Sequence, residues 1–185
     1  MILNVPNLIT LLRILVTPLF VIFMIRGQYH LALLVFTLAG ISDAIDGFLA
    51  RWFDQKTVLG AHLDPLADKL LLTSAYVALA VQRIIPGWLA VVVISRDILI
   101  LSGIGILRFF NIPIVVKPSI ISKCTTAAQL ATAFLVLLSF QLAAVQPVLK
   151  PLFWGTTLLT IVSGLHYVVR GVGILHTQDT DLERQ

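Results

Sequence analysis

Long apolar blocks separated by short polar breaks set the pattern of this chain. Six such blocks stand out, each close to the roughly 20 residues that a bilayer core requires of a helix. They run at about Asn7 to Ile25, Leu31 to Ala50, Pro65 to Val81, Pro86 to Phe109, Thr125 to Val145 and Leu152 to Leu175. Proline and glycine punctuate their ends, at Pro65, Pro86-Gly87, Pro113, Pro118, Pro147 and Pro151. The first block is read as a membrane helix and not as a cleaved signal. Its apolar run, Leu8 to Ile25, is longer than a signal core, is interrupted by Arg13, and is followed by no small-x-small cleavage site. There is no low-complexity run and no internal repeat. The pattern predicts an all-α, polytopic membrane protein, a bundle of six transmembrane helices.

Composition agrees with this reading and narrows it. The chain of 185 residues is 58% hydrophobic and 12% charged, with a mean hydropathy of +1.00, far outside the soluble range. One domain is expected over residues 1–176, with a polar, frayed tail at 177–185. The single cysteine, Cys124, excludes a disulfide framework and a Cys-based zinc cluster and is expected to be a packed small residue near a helix start. The net charge of +4 suits an anionic membrane surface, and no nucleic-acid signal is present. With the N-terminus inside, seven cations of the connections (Arg51, Lys56, Arg108, Lys117, Lys123, Arg170, Arg184) lie inside and three (Arg26, Arg83, Lys150) outside, favouring both termini in the cytoplasm. Trp52, Trp88 and Trp154 fall near block ends, as an interfacial belt would place them.

Against this background the stretch from Asp43 to Asp68 is an anomaly, because it holds five of the nine acidic residues. A carboxylate in or near hydrocarbon costs several kcal/mol unless it is paired, hydrogen-bonded or bound to a cation. Asp43 with Asp46, and Asp64 with Asp68, have helical spacing, so each pair would share one helix face. Two such helices could build a small oxygen cage of the kind that suits Mg²⁺, Mn²⁺ or Ca²⁺. Gly47 and Gly60 would let a backbone or ligand approach closely, and Arg51 supplies a cation beside them. A divalent metal with a diphosphate is the economical reading, on the cytoplasmic side.

Each of these residues also has a plain structural role open to it. Asp64 before Pro65 makes a good N-cap, Asp68 could pair with Lys69 or Arg51, and Asp43 and Asp46 could cap or line a helix end. Four together at this spacing, with Gly47, Ala50, Arg51 and Gly60, weigh against that account. Arg13 and Lys69 are expected to snorkel to the interface. Arg96 either pairs with Asp97 or another carboxylate or contacts an anionic ligand. The interruption from Arg108 to Lys123 suits a short interfacial helix or a folded-back loop, whose cations either meet lipid headgroups or hold a phosphate. Thr125, taken as a helix start, favours Lys123 for the second role. His30 and His176 are expected to be solvated and His166 to be a satisfied polar side chain.

The pattern Asp43-x2-Asp46-Gly47-x2-Ala50-Arg51-x8-Gly60-x3-Asp64-x3-Asp68 resembles the signature of the CDP-alcohol phosphotransferases, membrane enzymes of phospholipid synthesis, with every fixed position and both gaps matched. Asn4 to Thr10 with Arg13, Ile94 to Asp97, Lys117 to Ser119, and Ser122-Lys123 to Gln129 are similar to members that build phosphatidylglycerophosphate or cardiolipin. The resemblance implies Asp43, Asp46 and Asp64 as ligands of Mg²⁺ or Mn²⁺, two ions in all. Asp68 joins them or is the catalytic base. It implies Gly47, Ala50, Arg51 and Gly60 as the CDP-lipid site. Arg96, Lys117 and Lys123 are candidates for holding an acceptor phosphate. The expected reaction transfers a phosphatidyl group from CDP-diacylglycerol to glycerol 3-phosphate and releases CMP. A cardiolipin synthase using phosphatidylglycerol is the alternative within the family, and a cation transporter the alternative outside it. A homodimer in the bacterial inner (cytoplasmic) membrane is expected.

Overall fold

The computed structural model describes residues 5–53, 58–109 and 119–182, with side chains described at 13–42, 69–103, 105 and 119–170. Among the described residues there are six α-helices and one 3-10 turn, and no strand. They are α1 (Val5–Ile25), α2 (Tyr29–Phe53), α3 (Val58–Val81), α4 (Gly87–Phe109), α5 (Ile120–Leu138) and α6 (Gln146–Leu182), with the 3-10 turn Ala143–Val145 before α6. Two candidate membrane spans stand out by length and composition, Ile120–Leu138 and Ala143–Arg170, beside shorter apolar helical stretches at Arg13–Ile25, Tyr29–Ser42 and Lys69–Val81.

The helices alternate in direction, and contacts at one end of the bundle show it. The Gln82 side chain, just past α3, donates to the Met24 carbonyl of α1 (2.6 Å) and accepts from the Tyr29 hydroxyl of α2 (2.9 Å). Tyr29 stacks on Phe140, just past α5, with centroids 3.9 Å apart. Trp88 at the start of α4 meets Trp154 near the start of α6, centroids 5.0 Å apart. The C-terminal ends of α1, α3 and α5 thus share one end of the bundle with the N-terminal ends of α2, α4 and α6. α1 packs on both α2 and α3, and α6 on both α4 and α5. Phe20, Met24, Phe36, Tyr76, Leu79, Leu89 and Leu137 are among the buried side chains of the shared core.

The α5–α6 seam is polar where apolar packing would be expected. Thr125, Gln129 and Thr132 face Thr156, Thr160 and Ser163, all buried. Thr132 and Thr156 share a hydrogen bond of 2.7 Å, Gln129 donates to Thr160 (3.1 Å), and the Thr125 hydroxyl reaches the Leu159 carbonyl (3.2 Å). The Tyr76 hydroxyl of α3 donates to the Gln129 carbonyl (3.1 Å), tying the seam to the rest of the bundle. Such bonds hold apolar helices in one register, at about 0.6 kcal/mol each in a bilayer.

Several boundaries differ from the sequence reading for identifiable reasons. α3 begins at Val58, not Pro65, so Asp64 lies inside a helix and is no N-cap. α6 begins at Gln146, ahead of both Pro147 and Pro151. Pro147, in the first turn, gives up no helical bond, since those amides have no partner within the helix, whereas Pro151 lies inside α6 and forfeits one. α5 starts at Ile120, capped by the Ser119 side chain accepting from the Ser122 amide (3.1 Å), and ends at Leu138. α6 runs to Leu182, through the expected start of the tail at 177, because no proline interrupts the polar stretch. Cys124 is exposed and not packed, since Thr125 and Gln129 take the buried face of α5.

Candidate functional site

The backbone puts the four aspartates on two helices of opposite direction. Asp43 and Asp46 lie in the C-terminal half of α2, and Asp64 and Asp68 in the N-terminal half of α3. At about 1.5 Å per residue, Asp43 and Asp68 each stand about 20 Å along their helices from the end where Tyr29 and Gln82 meet. Gly47, Ala50 and Arg51 follow on α2, and Gly60 precedes Asp64 on α3. The side chains of all eight lie outside the described residues, and so does Lys117 entirely. Among the described residues no group of three or more His, Cys, Asp or Glu stands together.

What the structure does assemble is a buried ionic cluster, on α3, α4, α5 and α6. Arg96 donates through Nη1 to Asp97 Oδ1 (2.7 Å) and through Nη2 to the hydroxyls of Ser122 (2.6 Å) and Ser163 (3.1 Å). Lys69, which follows Asp68 on α3, places Nζ 3.8 Å from the same Asp97 oxygen. Arg96 and Asp97 are each only 6% exposed, whereas the Lys69 side chain is 26% exposed. Arg96 Nε is buried without a hydrogen-bond partner. Among the described residues two cations thus share one carboxylate, and Lys69 directly follows Asp68 in the chain.

Arg96 therefore pairs with Asp97, one of the two roles open to it in the sequence. Lys69 does not simply snorkel, because it reaches Asp97. Arg13 does not snorkel either, being 4% exposed on α1. Lys123 is exposed, and its amide bonds to the Ser119 carbonyl (3.2 Å) inside the first turn of α5, while the Ser122 amide is taken by the Ser119 side chain, so the free amides expected around Thr125 belong instead to Ile120 and Ile121. Ser163 carries no motif that marks it in the sequence. Its signal was the spacing Thr156, Thr160, Ser163, matched by Thr125, Gln129, Thr132, one polar face on each of two apolar helices.

Removing the shared carboxylate isolates a buried guanidinium. Asp97→Ala is expected to destabilise the protein by about 3 kcal/mol, with Asp97→Asn recovering part of the loss through its remaining acceptor. Thermal unfolding in detergent measures both.

The family model for CDP-alcohol phosphatidyltransferase matches residues 3–162. The chain is 36% identical over 143 residues to the human cardiolipin synthase (CMP-forming), covering 69% of this chain and 48% of that one. It is 36% identical over 183 residues to the Streptomyces coelicolor cardiolipin synthase (CMP-forming), covering 91% and 83%. To the Bacillus subtilis CDP-diacylglycerol–glycerol-3-phosphate 3-phosphatidyltransferase it is 32% identical over 200 residues, covering 95% and 99%. The chain spans about half the length of the mammalian relatives it matches. With the family model covering most of the chain, and the Asp43–Asp68 motif inside the matched region, the chain belongs to the CDP-alcohol phosphatidyltransferase family.

Proposed function

We propose that this chain transfers the phosphatidyl group of CDP-diacylglycerol to glycerol 3-phosphate, giving phosphatidylglycerophosphate and CMP. The observation that carries the reading is the complete Asp43–Asp68 motif in a chain that aligns almost end to end with the Bacillus subtilis phosphatidyltransferase. Among the described residues Lys69 and Arg96 outnumber Asp97, which supports it, because glycerol 3-phosphate brings a phosphate monoester dianion, whereas phosphatidylglycerol brings a singly charged diester.

In this mechanism Asp68 takes the proton from the acceptor hydroxyl as its oxygen bonds to the lipid-linked phosphorus. The bond from that phosphorus to the bridging oxygen breaks, and CMP leaves with the electron pair. Arg51 holds the diphosphate, and Gly47, Ala50 and Gly60 leave room for the nucleotide. Lys69, Arg96 and the lysines 117 and 123 draw the acceptor phosphate in. Carboxylates at Asp43, Asp46, Asp64 and Asp68, without His or Cys, form a donor set that suits Mg²⁺ or Mn²⁺. Bound there, two divalent ions would neutralise charge developing on the diphosphate. The six helices would cross the bacterial cytoplasmic membrane with both termini inside, as a homodimer, and the aspartates would face the cytoplasm.

An acceptor panel tests this. Purified protein with labelled CDP-diacylglycerol is expected to release CMP with glycerol 3-phosphate and Mg²⁺, and to release none after chelation. Cardiolipin formed from phosphatidylglycerol, with no product from glycerol 3-phosphate, would move the acceptor to the lipid. Absence of metal-dependent CMP release with either acceptor would remove the transferase reading.

A further inference from the structure

The end of the bundle away from the aspartates carries charge of one sign. No Asp or Glu occurs in residues 1–42, 69–96 or 98–178, so the turns and helix ends gathered there hold Arg26, Arg83 and Lys150 and no carboxylate. Two of these cations, Arg83 and Lys150, line an open cavity of about 630 Å³ between the α3–α4 turn and the start of α6, whose other walls include Ile84, Ile85, Pro86 and Phe153.

Arg83 is held there at a conformational cost. Both α1 and α3 end in the same left-handed cap. Gly27 (φ 69°) donates to the Met24 carbonyl with Gln28 reaching back to Phe23, and Arg83 (φ 58°) donates to Ala80 with Ile84 reaching back to Leu79. This cap favours glycine, which α1 has and α3 lacks. An arginine stands in this position against local preference, and it lines the cavity. Trp88 and Trp154 follow the cavity residues Gly87 and Phe153, touch one another and are both exposed, as side chains at a bilayer interface are.

We propose that this cavity binds the phosphodiester headgroup of an anionic phospholipid, with Arg83 and Lys150 on the phosphate and the acyl chains passing Trp88 and Trp154. The proposal rests on the membrane-spanning reading above, and it concerns the leaflet opposite the catalytic aspartates. A lipid fits better than a free phosphate because the two cations stand among apolar walls beside an interfacial tryptophan pair.

Tryptophan quenching reads this directly. In a Trp52→Phe background only Trp88 and Trp154 report, and the protein is placed in nanodiscs containing brominated phosphatidylglycerol or brominated phosphatidylcholine. Half-quenching is expected at a mole fraction of the anionic lipid lower by about fivefold per cation, and the preference should disappear in Arg83→Gln/Lys150→Gln. Arg83→Gly removes one cation and suits the left-handed backbone, so it should weaken the preference while the melting temperature holds or rises, which separates lost binding from lost folding. Equal quenching by the two lipids, or a preference that survives the double substitution, would overturn the proposal. Relief of quenching by inorganic phosphate at matched ionic strength would overturn the lipid as ligand. Quenching by neither lipid would overturn the membrane-spanning reading and this proposal together, whereas equal quenching by both leaves the former standing.

Discussion

Asp68→Asn is expected to bring turnover down by about 10² to 10⁴, the usual contribution of a positioned general base, while affinity for CDP-diacylglycerol changes by less than about tenfold. The amide keeps the size and one acceptor oxygen of the carboxylate but cannot take a proton at neutral pH. Asp68 is the last aspartate of the motif and the neighbour of Lys69, which reaches toward Asp97 in the buried cluster. That places the backbone of the base next to the cations proposed to hold the acceptor phosphate. Steady-state CMP release and equilibrium binding of a CDP-lipid, measured on one purified sample, separate the two effects. Near-normal turnover in Asp68→Asn would end the assignment of the base.

Asp43→Asn is expected to fail differently, losing binding and turnover together. Its proposed role is to hold charge in the ground state as well as in the transition state, so its loss should weaken CDP-lipid binding by at least about tenfold and slow turnover by a further 10² to 10³, roughly the cost of one lost transition-state contact. Raising Mg²⁺ should recover part of the activity of Asp43→Asn and none of that of Asp68→Asn. If both variants kept full CDP-lipid affinity, Asp43 would have no part in holding the diphosphate.

Where regular blocks of apolar residues end at a strong stop signal, the sequence was enough. The fourth block, drawn from Pro86 to Phe109, is α4 at Gly87–Phe109, because Pro86 and Gly87 mark its start. The other boundaries do not follow the prolines: Pro147 sits in a first turn, where it costs no helical bond, and α3 and α6 carry Pro65 and Pro151 inside at the cost of one bond each. The motif aspartates stand out in the sequence because carboxylates are conspicuous in an apolar chain and their spacing is local, while their side chains lie outside the described residues. Arg96 was legible in half, since Asp97 is its neighbour in sequence. Its other partners, Ser122 and Ser163, are 26 and 67 residues away, and only the packing of α4 on α6 and of α5 on α6 brings them together. Snorkelling is the expectation for Arg13 and Lys69 because a single helix offers them no better choice. In the bundle Arg13 is buried and Lys69 reaches an aspartate on the next helix.

The account depends on the aspartates of α2 and α3 holding divalent ions together, and counting those ions measures this most directly. Electron paramagnetic resonance of Mn²⁺ titrated into the purified protein with bound CDP-lipid should give two tightly held ions per chain, with at least one lost in Asp43→Asn and in Asp64→Asn. Mn²⁺ binding that is absent, or that is the same in wild type and in both variants, would contradict it.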